Sequence, residues 1–225
     1  MSSKEVPVKN GLLLNSPKQD EVLRDLSIIG LIGSAQYGKL YFNINTYKKK
    51  AQKALDLQIL KKHQLIRNKS AIPIYTLGAT GMVLAGLDYE AEANKWKLFS
   101  KNDVLQRLVF FQLYEQFKIA DKDVFIETAE EPFIASINRQ GKSFAVLVLR
   151  GNEEKIKQFF RYNADKLPTR ILIVTEEFTH LQPIMQFIKP YLGRIRVTTD
   201  HELKNSIKDM FYLYNEQEWK KDSVN

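Results

Sequence analysis

The sequence predicts an α+β chain of two domains: three helices and a β-hairpin in the first, a mixed sheet covered by helices in the second. Three observations carry this. Apolar positions recur at helical spacing up to about Lys61 and then give way to short β-like runs. From Ser100 onwards a long amphipathic helix is followed by strands and helices in alternation. Charge divides too: residues 1–98 hold 15 Lys/Arg against 8 Asp/Glu, whereas the remaining 127 hold 19 against 18.

Residues 1–16 are polar and turn-rich around Leu12-Leu13-Leu14 and are expected to form a loose arm. Ser16-Pro17 starts a helix, with Ser as cap and Pro in the first turn. Val22, Leu23, Leu26 and Ile29 continue it to about Gly30. Ser34 to Tyr41 fits a short second helix, weakened by Gly38. Asn45 or Thr46 can cap a third, running from Tyr47 to about Lys61. Leu65–Asn68 and Ile72–Leu77 read as strands around the turn Lys69-Ser70-Ala71, and Gly78 to Leu87 as a small apolar helix. Three helices followed by a hairpin is the order of a winged helix-turn-helix, expected over residues 17–87. The charged, small-residue stretch 88–99 reads as a linker.

Residues 100–225 form the second domain. Ser100-Lys-Asn-Asp103 has the form of a capping box, and Val104, Leu105, Leu108, Val109, Leu113 and Phe117 extend the helix behind it. Strand-like runs follow at 124–128, 132–138 and 143–149, the last two joined by Arg139-Gln140-Gly141-Lys142. A helix over 153–167, a strand over 170–175, a helix over about 180–191 and a strand over 194–198 complete an α-β-β-β-α-β-α-β order. That order predicts a mixed sheet with helices on both faces.

The positive charge is local. Lys39 to Lys69 holds nine basic residues against one acid, Asp56, and a local excess of this kind attracts polyanions. In a winged helix the third helix enters the major groove of duplex DNA while the hairpin meets the flanking backbone. The candidate contacts are therefore Thr46, Tyr47, Lys48, Lys49, Lys50, Gln52 and Lys53 on the helix, the pair Lys61 and Lys62 behind it, and Arg67 and Lys69 at the hairpin tip. Three consecutive lysines sweep about 200° of a helix, so at least one faces outward in any register. The register stays open, because Ala51/Leu55/Ile59 and Ala54/Leu57/Leu60 both have helical spacing. Lysines grip phosphate better than they read bases. An isolated lysine run is more often a solvated helix face; here it coincides with the expected recognition helix and a basic wing.

Other chemistry finds little support. No apolar run approaches the roughly 20 residues that cross a bilayer, the first residues lack the apolar core of a secretory signal, and cysteine is absent, so a cytoplasmic protein without a membrane partner is expected. Glu127, Glu130 and Glu131 read as a solvated loop, and Glu176-Glu177 as helix-start acids. His63, His180 and His201 are scattered, and neither Gly30-x-x-Gly33 nor Gly78-x-x-Gly81 has the setting of a phosphate loop. Pairs such as Phe110-Phe111 and Phe159-Phe160 read as core. No cofactor and no metal are expected.

Leu57-x-x-Leu60-x-x-x-x-Leu65-Ile66-Arg67, followed by Ile74-Tyr75-Thr76-Leu77-Gly78-x-x-Gly81, resembles the winged-helix region of the replication-relaxation family, whose members are encoded on plasmids and other bacterial mobile elements. Gln64 stands where that pattern has glycine, and Thr76-Leu77 reverses its leucine-threonine. More faintly, Glu131-Pro132-Phe133-Ile134-Ala135, the turn at Gly141-Lys142 and Leu147-Val148-Leu149-Arg150-Gly151 resemble that family's restriction-endonuclease-like core. The acidic positions of the pattern fall on Phe133, Leu147 and Leu149, which cannot hold the divalent metal such a nuclease needs. The resemblance thus implies a nuclease-like scaffold without its catalytic groups, serving a DNA-binding accessory or regulatory protein of a mobile element. Its partners would be double-stranded DNA, a protein recruited through the second domain, and a second copy, since many winged helices bind inverted repeats as dimers. Two alternatives stand beside it: a divergent nuclease using Glu127, Glu130, Glu131 or Glu153, and an interaction module whose winged helix contacts protein.

Overall fold

Val22, Leu23, Leu26 and Ile29 place one apolar stripe along the first helix, α1 (Pro17–Ile29), and all four are buried. In the computed structural model, which describes residues 17–42, 45–67, 70–92 and 95–222, the chain divides into two compact units, 1–98 and 99–225. The expected arm 1–16 and hairpin-tip residue Lys69 lie outside the described residues, and of Arg67 only the backbone is described.

The first unit continues with β1 (Ile32–Gly33), α2 (Ser34–Tyr41), α3 (Tyr47–Asp56), β2 (Leu60–Arg67), β3 (Ser70–Leu77) and α4 (Ala79–Leu84). Its three strands lie in the order β1-β3-β2, all antiparallel, with β2 and β3 in register from Leu60↔Leu77 to Arg67↔Ser70. Beneath them a buried carboxyl ties α1 to α2: the Tyr41 hydroxyl donates to Asp25 at 2.8 Å and the Arg24 guanidinium at 2.9 Å. Burial holds the Asp25 carboxyl above its usual range, while Arg24 and Tyr41 pull it back down.

Two expectations are corrected here. The third helix ends at Asp56 rather than near Lys61, so Lys61 and Lys62 belong to β2 and not to a helix end. The cause lies across the sheet. Gln58 turns into the left-handed region (φ 55°), Ile59 N–H closes on Ala54 O at 2.8 Å, and the freed carbonyls of Gln58 and Ile59 accept from Thr80 and Gly78. Such an approach is open only to glycine: a Cβ at Gly78 would lie 2.2 Å from Gln58 O, and one at Gly81 2.1 Å from Ile59 O. The Gly78-x-x-Gly81 spacing is thus a helix stop written twenty residues downstream. The stretch read as a linker, 88–99, carries α5 (Tyr89–Glu92) and a 3₁₀ turn at Lys95–Leu98.

In the second unit, α6 (Lys101–Ala120) starts from the expected capping box: Asp103 N–H donates to Ser100 Oγ at 3.2 Å and Ser100 N–H to Asp103 Oδ2 at 2.8 Å. Behind it come β4 (Phe125–Glu127), β5 (Ala135–Arg139), β6 (Lys142–Val148), α7 (Glu153–Tyr162), β7 (Ile171–Thr175), α8 (Met185–Ile188), β8 (Ile195–Thr199), β9 (Tyr212–Asn215) and β10 (Glu218–Lys221). The seven strands run β10-β9-β8-β7-β6-β5-β4, parallel only at β6-β7 and β7-β8. Consecutive residues of β6 and β7 are buried without alternation, as a sheet covered on both faces requires. One face packs Leu147, Ile173 and Val197 against α7 and α8.

The helix expected over 180–191 is instead a 3₁₀ stretch (Phe178–Ile184), the single turn α8 and a second 3₁₀ stretch (Lys189–Arg194). Pro183 and Pro190 remove two helical N–H donors within eight residues and prevent one continuous ladder. The helix expected to reach 167 ends at Tyr162.

Candidate nucleic-acid interface

The third helix packs closely on α2. Tyr47, at its first position, lays its ring over α2 where that helix carries Gly38: a Cβ there would lie 2.9 Å from Tyr47 Cγ. The glycine that weakens α2 by propensity is what lets α3 approach it. Tyr47 is accordingly half-buried, with a packing role, while Thr46 before it is exposed and makes no side-chain capping bond.

Burial also settles the helical register. Ala51 is the buried residue of α3, Leu55 is half-buried beside it, and Leu57 is 42% exposed. At about 100° per residue the direction opposite Ala51 falls between Lys49 and Lys53, with Gln52 and Asp56 on the same side. Lys48, Lys49, Lys50 and Gln52 are exposed. Lys50 leans back so that Nζ lies 5.4 Å from the centroid of the Phe42 ring. Half-buried Lys53 lines, with Ala54, Leu57, Val22 and Tyr37, an open apolar groove beside the helix. Gln52 Nε2 donates to Asp56 Oδ1 at 2.8 Å, so the one acid of this segment is already engaged.

The hairpin divides its charges. Lys61 and Lys62 are both exposed, but neighbouring strand residues point to opposite faces. On the Lys61 face, His63 accepts or shares a hydrogen bond with Thr76 Oγ1 at 3.0 Å, and the Trp96 ring lies over it with centroids 3.8 Å apart. Burial, reinforced by the Lys61 charge, lowers the imidazole to about 4. Sequence reasoning passed over this His63–Trp96 contact; its only signal was a histidine alternating with lysine in a strand. The structure therefore brings Lys48, Lys49, Gln52 and Lys53 together on one helix, and places Lys61 and Lys62 on the strand that follows it.

In the second unit the carboxylates do not converge. Glu127 accepts from Asn138 at 2.9 Å, Glu130 faces Lys166 at 3.4 Å and Glu131 faces Lys155 at 3.6 Å, all exposed. Glu176 is not a helix-start acid: it lies 3.7 Å from Arg150, whose other side bonds Asp200, at the carboxyl ends of the parallel strands. Among the described residues no group of three or more His, Cys, Asp or Glu could hold a metal ion. Phe133, Leu147 and Leu149 do converge, within a single apolar cluster that also holds Phe159 and Ile173.

Among the described residues no helix is long and apolar enough to cross a membrane. Compared with protein-family models, curated proteins and solved structures, the chain finds no match. The class defined by the coordinates is a mixed α/β protein of two compact units, the second built on a seven-stranded sheet.

Proposed function

We propose that the chain is a DNA-binding accessory or regulatory protein of a bacterial mobile genetic element, acting in replication, transfer or transcription control. Its first unit would be a winged helix-turn-helix, with α3 in the major groove and the β2-β3 hairpin as the wing. The observation that carries this reading is the outward face of α3: exposed Lys48, Lys49 and Gln52 turned away from the buried Ala51, with half-buried Lys53 at the edge of that face, on a helix followed directly by an antiparallel hairpin. Such a face offers mobile ammonium groups to phosphates and one amide, Gln52, to base edges.

The second unit is proposed as a restriction-endonuclease-like scaffold without catalysis, kept for contacts with a protein partner or for shaping DNA. Support comes from Phe133, Leu147 and Leu149: the positions the resemblance assigns to metal-binding acids are apolar and buried at 4%, 0% and 2% exposure. A dry cluster of this composition leaves no room for a hydrated cation.

Binding to a labelled duplex, titrated with salt, tests the first unit. Each phosphate contact displaces counterions, so log K falls with log salt by about 0.9 per contact. The triple variant Lys48→Ala, Lys49→Ala, Lys53→Ala is expected to weaken binding and flatten the slope by about two to three. An unaltered slope would remove α3 from the interface.

A further inference from the structure

Beside α3 the first unit leaves open a groove with apolar walls. Val22 of α1, Ala54 of α3, Leu57 behind it, and Ile59 and Leu60 at the entry to β2 line it, and Leu57 is left 42% exposed. From Lys50 to Leu57 the groove follows α3 for about two turns, roughly 10 Å. Apolar surface left in water marks a contact site.

Three polar groups in the lining say what fits it. Tyr37 of α2 is 3% exposed, its ring held against Phe42 and Tyr75 at 5.1 and 5.4 Å. Among the described residues its hydroxyl has no hydrogen-bond partner, which a buried tyrosine ordinarily finds. Burial, with Tyr75 beside it, holds this phenol far above its ordinary range, so it stays a neutral donor. Lys50 and Lys53, one turn apart on α3, add two ammonium groups, and neither makes an ion pair among the described residues. Lys50 Nζ is kept at the groove by the Phe42 ring, itself part of the lining. Apolar walls with one unanswered hydroxyl and two unanswered cations are the complement of an amphipathic anion. A neutral ligand would leave both ammonium groups without a counter-charge, and a short anion would leave the walls wet.

We infer that the groove between α1, α2 and α3 is a binding site for a medium-chain carboxylic acid. Its alkyl chain packs on Val22, Leu57, Ile59 and Leu60, its carboxylate meets Lys50 and Lys53, and the Tyr37 hydroxyl is the donor that orients it. This goes beyond the DNA-binding reading and stands or falls without DNA.

The test is titration calorimetry of the full chain, free of nucleic acid, with octanoate, octan-1-ol and acetate as probes. Octanoate is expected to bind one per chain and acetate not at all. Octanol should bind about three- to tenfold more weakly than octanoate, for want of two partly exposed charge contacts. Lys50→Gln with Lys53→Gln should bring octanoate down to the octanol value and leave octanol unchanged. Tyr37→Phe should weaken both by about two- to tenfold, since either head group can accept from the hydroxyl. Ala54→Phe should abolish both by filling the groove, with circular dichroism unchanged. Equal affinity of the wild type for octanoate and octanol overturns the inference, as does octanoate binding indifferent to the lysine or Ala54 variants. So does a wild-type chain that takes up no octanoate. If a chain lacking residues 1–16 then did so, the groove would belong to the chain's own first residues.

Discussion

The two units distribute their basic residues differently. In the second unit, several cations sit against carboxylates: Lys155 by Glu131, Lys166 by Glu130, Arg139 by Asp121, Arg196 by Asp222 and Arg150 by Asp200. In the first, α3 gathers four lysines against one acid, and that acid is held by Gln52. Exposed pairs of the first kind contribute little stability, about 0–1 kcal/mol, but they cancel the field a partner would sense at a distance. A run of lysines with a single acid among them leaves that field intact. Content of Lys and Arg is therefore a poor guide to an interface; what matters is whether neighbouring carboxylates have already answered them.

The same contrast holds for acids, and it is sharpest at Leu147. The resemblance puts a metal-binding carboxylate where the second unit has a fully buried leucine, so restoring the acid asks whether the site is a dormant catalytic centre or simply core. Leu147→Glu is expected to destabilise the protein by about 3–5 kcal/mol, combining the loss of a packed side chain with burial of a carboxyl that must stay protonated. Urea unfolding would measure it, with exposed Lys155→Ala as a control expected within about 0.5 kcal/mol. The variant should cleave no supercoiled plasmid in magnesium or manganese. Near-native stability with specific nicking would break the contrast between a charged first unit and a dry second one.

Legibility in the sequence divides along physical lines. Where structure follows from neighbours in the chain, it could be read: the Ser100–Asp103 capping box, the turn at Gln140-Gly141, and the apolar runs of β6 and β7 all stand as written. Where it is imposed from elsewhere, it could not. The end of α3 depends on Gly78 and Gly81, and the stop itself is Gln58, a residue without turn chemistry. The β9-β10 hairpin went unread because its turn is Glu216-Gln217, both at positive φ (50° and 69°), where Asn-Gly is the usual signal. At the candidate interface, the segment carrying the lysines was legible from charge density. Their directions were not, because Ala51 and Ala54 are equally apolar and only tertiary packing chose between them.

A second difference between the units concerns pH. His63 is held at about 4, below its ordinary 6.5, by burial and by Lys61. Because the folded-state value is depressed, the neutral ring favours the folded state fully above pH 6.5. That contribution is lost as pH falls through the interval from 6.5 to about 4. In a Trp219→Phe background, where Trp96 is the remaining tryptophan, urea unfolding followed by fluorescence should show stability dropping from pH 7.5 to pH 5. His63→Gln should lower stability at pH 7.5 and flatten the drop. An unchanged drop would place the acid sensitivity in other groups, among them the ion pairs of the second unit.

The smallest expected effect isolates what the lone acid of α3 does. Asp56 shares the outward side of the helix with Lys49, and it occupies the Gln52 amide at 2.8 Å. Asp56→Asn keeps the shape and removes one negative charge from a surface proposed to meet phosphates, so affinity for duplex should rise about two- to fivefold at low salt, an exposed-charge effect of roughly 0.4–1 kcal/mol. Screening should shrink the gain as salt increases, since the charge is exposed. Gln52→Ala, by contrast, leaves the charge and removes only the amide, so its effect should depend on DNA sequence and hardly on salt. If the two variants behaved alike on every duplex, Gln52 and Asp56 would act as a helix-surface pair, and the interface would rest on the lysines alone.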